Sequence, residues 1–391
     1  MPVIIIDPGH GGEALGGNID NRIERDIDLI TAYAMKERLE QYEGVEVYLT
    51  REDNESKELT RKERFDFAKE KNGDYLFSIH YNMSESHTLY GTEVWICSQG
   101  PNYSSGMSFA KIEMEALTNL GLFDRGIKCK QDKKGGEYYG ILKYSQEYNI
   151  PAVIIEHCHL DEERDSAFWN EESYKQFGIT DADCVAKYFG LSSTSLGIDY
   201  SNYAKEEIEI PQSQVTPDLS GPDYCELKLL SYDDTTATCQ INSIDSDTYV
   251  QYYSYSFDNG LTWSRLESWD DRNDESLTFT VELNPDKSVN MIVETFNKYD
   301  ITTQSQPVNL PQAIIEIPTP EAEIEHEYEE IYMETQKPVV KESNPIPIIL
   351  LSLVVLTSIL VISFITSLII NIRRKKKRKQ IKKHKQIKYE N

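Results

Sequence analysis

The sequence has few cysteines, and none of them is spaced as a recognisable cysteine motif. Its 391 residues include six cysteines, and no two are arranged as CxxC. The cysteines form no dense disulfide framework, and a chain of this size does not need disulfides for its core. One pair, Cys225 and Cys239, could still form a disulfide in the second half of the chain.

Basic side chains are scarce outside residues 373–391. Of the 40 Lys and Arg residues, 11 lie in that segment, together with one of the 66 Asp and Glu residues. The first 372 residues thus hold 29 basic and 65 acidic side chains, which would repel phosphates. We therefore expect no nucleic-acid partner.

Charged residues are absent from 343–372, which are mostly Ile, Leu, Val, Ser and Thr. About 20 apolar residues cross a bilayer as a helix. The basic run RRKKKRK at 373–379 is the cytoplasmic flank that the positive-inside rule expects. These features predict a transmembrane helix over 346–372, a basic cytoplasmic tail over 373–391, and an extracytoplasmic location for the preceding residues.

Short apolar runs alternate with amphipathic segments over residues 1–192. Helical periodicity predicts helices at 22–42, 60–71, 105–120 and 180–189, and β-branched or alternating runs predict strands at 3–6, 45–50, 75–80, 92–96 and 152–156. This alternation predicts an α/β fold with a mainly parallel sheet sandwiched by helices. The first predicted strand begins at Val3, so no signal peptide precedes it in the printed sequence, and either the true start lies upstream or the chain inserts by its C-terminal segment alone.

The pattern changes after a polar linker over 193–222. Five short alternating strands without an intervening helix predict a small β-sandwich of immunoglobulin or fibronectin type over 223–309. Its aromatic side chains could either stack on sugars or pack the core: Tyr252, Tyr253, Tyr255, Trp263 and Trp269. Residues 310–345, rich in Pro and Glu, predict an extended, acidic stalk.

Two histidines and two glutamates occupy positions that the predicted fold would bring to one edge of the sheet. His10 follows the first strand and Glu24 opens the first helix. His80 and Glu156 end two later strands. Two imidazoles and one carboxylate can hold a catalytic zinc ion with a position left for water, and a second carboxylate could move protons.

Each of these residues also has a simpler interpretation. Glu24 could complete a helix capping box with Asn21. His10 could be a turn residue, or its Gly-rich loop could bind a phosphate. His80 could be a hydrogen-bonded core histidine. The residue pattern alone leaves a metal site and these structural roles open.

Seven motifs follow one another in about residues 2–190: IIIDPGHGG (4–12), IERDIDL (23–29), LTRED (49–53), LFSIHYN (76–82), GTEVW (91–95), RGIK (125–128) and PAVIIEH (151–157). In this order they resemble the zinc-dependent N-acetylmuramoyl-L-alanine amidase family of the third type. The resemblance implies a catalytic domain over 1–192 with one Zn²⁺ bound by His10, Glu24 and His80. It also implies that Glu156 is the catalytic acid and base.

The resemblance implies hydrolysis of the amide between N-acetylmuramic acid and L-alanine in peptidoglycan, and so a location at the bacterial cell membrane. Two alternatives remain open. One is a zinc hydrolase for another amide, and the other is a cell-surface binding or adhesion protein with an inert amidase-like domain.

Three further residues are candidates for contacts with the substrate. Arg125 could bind a stem-peptide carboxylate or brace its own loop, and Asn82 could support the ligand His80. The sequence EHCH at 156–159 departs from the small residues usual in the family. Because neighbours on a strand face opposite sides, we expect His157 to contact substrate or orient a neighbour rather than bind a second metal. Arg51 and Arg61, in contrast, are expected to pair with nearby acids.

Overall fold

The computed structural model describes residues 1–314, which form an α/β unit followed by a β-sandwich. The helices are α1 (Glu24–Leu39), α2 (Arg61–Glu70), α3 (Gly100–Asn119), α4 (Gly140–Tyr148) and α5 (Glu171–Phe189). The strands of the α/β unit are β1 (Val3–Pro8), β2 (Asn18–Ile19), β3 (Arg22–Ile23), β4 (Glu46–Leu49), β5 (Tyr75–Asn82), β6 (Thr92–Ile96), β7 (Asp124–Lys128), β8 (Ala152–His159), β9 (Ser192–Ser193) and β10 (Ile198–Asp199).

Six of these strands form one sheet, in the order β4-β1-β5-β8-β6-β7. All neighbours are parallel except β8 and β6, which are antiparallel. Alternate residues of the central strands pack on opposite faces: Ile4 joins the core beneath α1, α3 and α5, whereas Ile5 joins the core beneath α2 and α4. The α/β architecture and the mainly parallel sheet agree with the sequence prediction.

Several elements of the α/β unit differ from the prediction. Strand β7 and helix α4 were not predicted, because both are short and give little periodicity. Helix α5 begins at Glu171, earlier than expected, and Asn170 caps it by accepting a hydrogen bond from the Ser173 amide (3.0 Å).

The predicted C-terminal transmembrane helix is not supported, and this part of the predicted architecture is corrected. Within residues 1–314, no helix is both long and apolar enough to cross a bilayer. The two longest helices, α3 and α5, carry charged side chains such as Lys111, Glu113 and Asp181. The predicted span over 346–372 and the stalk over 310–345 lie outside the described residues, except for 310–314.

The second part of the chain is a β-sandwich of two antiparallel sheets. Its strands are β11 (Tyr224–Tyr232), β12 (Thr236–Ile244), β13 (Val250–Ser256), β14 (Glu267–Ser268), β15 (Ser276–Glu282), β16 (Val289–Asn297), β17 (Thr302–Gln304) and β18 (Val308–Leu310). One sheet has the order β11-β12-β15, and the other is built around β13 and β16. Tyr253 and Trp269 pack in the shared core. Cys225 and Cys239 are free thiols, so the disulfide considered above is absent here.

The segment expected to be a linker, 193–222, is held against the α/β unit. Ser108 Oγ donates to the Glu206 carbonyl (2.8 Å), and Ser104 Oγ donates to the Glu209 carbonyl (3.1 Å). The Val215 amide donates to the Ser98 carbonyl (2.8 Å). The segment therefore connects the two parts along a defined path.

Candidate active site

A tight loop after β1 carries His10, and two buried arginines hold the loop in place. Arg51 donates to the carbonyl oxygens of Pro8 (3.1 Å) and Gly9 (2.7 Å). Arg64 donates to the carbonyl oxygens of Pro8 (2.9 Å) and His10 (2.6 Å) and pairs with Asp7. His10 has a φ of +60°, a region that non-glycine residues seldom occupy and that often marks functional sites.

Glu24 is the first residue of α1, and its carboxylate is fixed by backbone amides. Gly17 donates its N–H to Oε2 (2.6 Å), and Tyr81 donates its N–H to Oε1 (3.3 Å). The N-cap of the helix is Ile23, without a side-chain cap bond. The capping-box role considered for Glu24 is therefore excluded.

His10 and His80 converge on the same oxygen of Glu24. His10 Nε2 lies 3.0 Å from Oε1, and His80 Nδ1 lies 2.9 Å from it. Burial alone would raise the pKa of Glu24, but the two imidazoles outweigh it and hold that pKa well below its usual range. Burial lowers the pKa of His80, so its ring nitrogen is available as a ligand.

Glycines make room for this arrangement. A side chain on Gly9 would begin 2.4 Å from the His80 ring. One on Gly16, whose φ is +67°, would begin 2.3 Å from Glu24 Oε2 and 2.6 Å from His10 Nε2. Both positions therefore require glycine if the three donor groups are to meet.

Asp28 extends this group. It lies one helical turn after Glu24, and donor atoms from His10, Glu24, Asp28 and His80 all lie within 4.8 Å of one another. Asp28 is fully buried, and neither carboxylate oxygen has a hydrogen-bond partner within residues 1–314. Burial and the nearby Glu24 raise its pKa well above the usual range. These four residues could hold a metal ion.

Glu156 lines the same cavity, and its Oε2 has no hydrogen-bond partner in the described part of the chain. Burial, followed by the charges of Glu24 and Glu93, raises the pKa of Glu156 well above its ordinary value. A carboxyl group in such a setting suits acid–base chemistry near neutral pH.

The cavity has a volume of about 420 Å³ and is bordered by β1, β5, β8 and the starts of α1, α2 and α4. Arg61 lines it with a side chain that is 62% exposed, and its nearest acid, Glu58, is 3.9 Å away. Arg61 pairs with a nearby acid, as expected, and it also presents a cation to the cavity. Arg51 was expected to pair with an acid, but it is buried and instead donates to the carbonyl oxygens of the loop.

The three candidates for contacts with the substrate have different surroundings. Asn82 lines the cavity and donates to Glu93 Oε1 (2.9 Å). His157 is fully buried, with Nδ1 3.1 Å from the His80 carbonyl and Nε2 3.0 Å from Asp181. Arg125 is 1% exposed and lies outside the cavity lining. Neither side chain reaches the cavity surface, so the structure does not support the predicted substrate contacts of Arg125 and His157.

Sequence reasoning missed Asp28, Arg64 and the role of Gly16. Asp28 had a usable signal, since four residues after Glu24 is the same face of the helix. No sequence signal pointed to Arg64, because its partner Asp7 is 57 residues away in the sequence.

The part of the chain that contains this site is similar to known proteins. Residues 4–186 match a family model described as N-acetylmuramoyl-L-alanine amidase. The chain is 37% identical over 202 residues to N-acetylmuramoyl-L-alanine amidase CwlM of Bacillus licheniformis, covering 51% of this chain and 73% of CwlM. It is 27% identical over 172 residues to N-acetylmuramoyl-L-alanine amidase LytC of Bacillus subtilis, covering 44% of this chain but only 32% of LytC.

A solved structure is also similar to the chain, namely the catalytic domain of the N-acetylmuramoyl-L-alanine amidase CwlV of Bacillus (Paenibacillus) polymyxa var. colistinus. It is 27% identical, with a TM-score of 0.42, over 48% of this chain and 98% of that one. The family model and the extent of the match to CwlM settle the classification. The chain therefore belongs to the N-acetylmuramoyl-L-alanine amidase family and is an amidase.

Proposed function

We propose that the chain is a zinc-dependent hydrolase that cuts the amide between N-acetylmuramic acid and L-alanine in peptidoglycan. The observation that carries the proposal is the convergence of His10 and His80 on one oxygen of Glu24, in a cavity that Glu156 also lines. Because peptidoglycan lies outside the cytoplasmic membrane, the proposal implies that the catalytic domain acts there.

The donor set suits zinc. Two imidazole nitrogens and one carboxylate oxygen are the ligands of many catalytic zinc sites. Donors about 2.0–2.1 Å from a tetrahedral zinc ion lie about 3.3 Å apart. The measured separations of 2.9 Å and 3.0 Å require only small adjustments. Zinc bound by His10, Glu24 and His80 would supply a Lewis acid that polarises a carbonyl and lowers the pKa of water.

Glu156 would transfer a proton in both steps of the reaction, the attack of water and the departure of the amine. It would take the proton from the attacking water and give it to the leaving amine of L-alanine. Its raised pKa supports both roles by moving the titration of the carboxyl group towards neutral pH, where the ionised form can accept the proton of the water and the protonated form can donate it to the amine. Asn82, which lines the cavity and donates to Glu93, would support the wall of the site rather than take part in the proton transfer.

Substrate recognition would use the exposed cation of the cavity. Peptidoglycan stem peptides carry carboxylates, and an arginine binds a carboxylate through paired hydrogen bonds. Arg61 is suitably placed for this contact, unlike the buried Arg125.

The products of the reaction test this proposal. The full chain, Glu156→Gln and Glu147→Gln would each be incubated with peptidoglycan, and the products would be analysed by mass spectrometry. Glu147 is an exposed carboxylate on α4 outside the cavity, so it is the matched control. We expect stem peptides beginning at L-alanine from the wild type and Glu147→Gln only. Cleavage at another bond would assign a different amide, and undiminished cleavage by Glu156→Gln would remove Glu156 from the mechanism.

A further inference from the structure

The β-sandwich inserts one carboxylate into the wall of the α/β unit. Asp300 lies in the turn between β16 and β17, and its Oδ2 accepts a hydrogen bond from Nη2 of Arg125 (2.8 Å). Its other oxygen accepts from Gln251 Nε2 (2.8 Å). Arg125 Nη1 donates to the hydroxyl of Tyr252, which also belongs to the β-sandwich (3.2 Å).

Arg125 belongs to a buried cluster of four charged groups. Its Nε donates to Glu93 Oε2 (2.9 Å), and Lys128 Nζ donates to the same oxygen (2.7 Å). Arg125, Lys128 and Glu93 are 1%, 1% and 3% exposed. Lys128 also lies 4.0 Å from Asp300 Oδ2. The α/β unit thus contributes two cations and one anion, and Asp300 contributes the anion that balances them.

This cluster borders the active site. Glu93 on β6 is the direct partner of Glu156 on β8, across an antiparallel pair. The hydroxyl of Thr92 donates to the Glu156 carbonyl (3.0 Å). Asn82, which lines the cavity, donates to Glu93 Oε1. A displacement of Glu93 would therefore shift the strand pair that carries Glu156.

Other contacts fix the β-sandwich in the same place. The Tyr252 hydroxyl donates to the Tyr90 carbonyl (2.5 Å), and the Tyr252 ring packs against Phe123 with ring centroids 4.8 Å apart. Arg272 donates to Asp124 (2.9 Å), and Arg164 donates to Glu267 (3.0 Å). The interface therefore has an apolar centre as well as ion pairs.

We propose that the β-sandwich is a fixed part of the catalytic unit and that Asp300 is a positioning residue for Glu156, acting through Arg125 and Glu93. The role of Glu156 rests on the function proposed above. Without Asp300, the buried cluster carries an excess positive charge. Buried charges without a partner are strongly unfavourable, so Arg125 and Lys128 would compete for Glu93 and move it.

Two matched variants of the full chain test the proposal. Asp300→Asn removes the balancing charge and keeps the size of the side chain. Glu267→Gln removes a carboxylate from the same interface, but at an ion pair whose Glu267 side chain is 47% exposed. We expect Asp300→Asn to lower kcat about 10- to 100-fold with little change in KM or bound zinc, as a small misplacement of a reacting group does. Glu267→Gln should keep kcat within about twofold, since exposed ion pairs contribute little.

A charge-compensated variant separates positioning from general damage to the fold. Lys128→Met combined with Asp300→Asn leaves Arg125 paired with Glu93 and no excess charge. We expect this double variant to have a higher kcat than Asp300→Asn alone. A double variant no better than Asp300→Asn overturns the proposal, as does an Asp300→Asn enzyme with the kcat of Glu267→Gln. Failure of the wild type to release stem peptides would instead overturn the proposed function.

Discussion

Glu93 and Glu156 face each other across β6 and β8, yet their environments are opposite. Burial would raise the pKa of Glu93, but Lys128 and Arg125 outweigh it and hold that pKa well below its usual range. Glu156 has no such partners, and burial raises its pKa well above the usual range. Neighbouring carboxyl groups with opposite shifts are the arrangement in which one stays ionised and the other transfers protons.

The first prediction concerns the space that Gly16 leaves for the metal site. Gly16→Ala should abolish zinc binding, because its Cβ would lie 2.3 Å from Glu24 Oε2 and 2.6 Å from His10 Nε2. Gly44→Ala is the matched control, since Gly44 also has a positive φ but no atom within 4 Å of the added Cβ. It should lose only about 1 kcal/mol of stability and keep its zinc. Metal analysis of both purified variants checks this, and bound zinc in Gly16→Ala would contradict it.

The second prediction concerns the cation in the cavity. Arg61→Gln should raise KM about tenfold and leave kcat nearly unchanged, because a hydrogen bond to a charged group contributes about 1.5 kcal/mol. Lys62→Gln should leave KM unchanged, since Lys62 lies outside the cavity lining and pairs with Asp66. Steady-state kinetics on soluble peptidoglycan fragments checks both. A contact between Arg61 and a stem-peptide carboxylate would be established if amidation of the carboxylates raised KM for the wild type but not for Arg61→Gln. It would be excluded if neither the substitution nor the amidation changed KM.

The third prediction is that the stability of the wild type falls more steeply with falling pH than the stability of His159→Gln. Burial and the nearby Arg125 lower the pKa of His159 to about 3. Between about pH 6.5 and that value, the unfolded chain binds a proton at His159 that the folded chain does not, so stability falls as the pH falls. His159→Gln cannot bind this proton. From about pH 6 to pH 4 the wild type should therefore lose about 1.4 kcal/mol more per pH unit than the variant. Urea unfolding at several pH values measures the slopes, and equal slopes would be inconsistent with a neutral buried His159.

The fourth prediction concerns dependence on the β-sandwich. A chain truncated to residues 1–192 should be poorly stable or insoluble, because it removes the β-sandwich partners Tyr252 and Asp300 from Arg125 and exposes Tyr90 and Phe123. Thermal unfolding of the truncated and full chains checks this, and equal midpoints would show that the α/β unit is independent.

The sequence predicted which residues line the cavity better than it predicted the contacts that hold those residues in place. His10, Glu24, His80 and Glu156 were predicted to meet at one edge of the sheet because each follows or ends a strand or opens a helix, and they do line one cavity. Their roles as ligands and as the catalytic acid and base were implied only by the family resemblance and stay predictions. The surroundings of Arg125 could not be predicted, since its partner Asp300 lies 175 residues away. The path of 193–222 was also missed, because its polar composition resembles a free linker and its hydrogen bonds use backbone carbonyls.

The central claim is that hydrolysis requires one zinc ion at His10, Glu24 and His80, and a zinc titration tests it most directly. The full chain would be freed of metal with a chelator, zinc would be added in steps, and the release of L-alanine amino termini from peptidoglycan would be measured. We expect no release without metal, a linear rise in release as zinc is added and a plateau at one zinc per chain. The need for zinc at this site would be contradicted if the metal-free chain released the amino termini fully, or if His80→Ala reached the same plateau of release as the wild type.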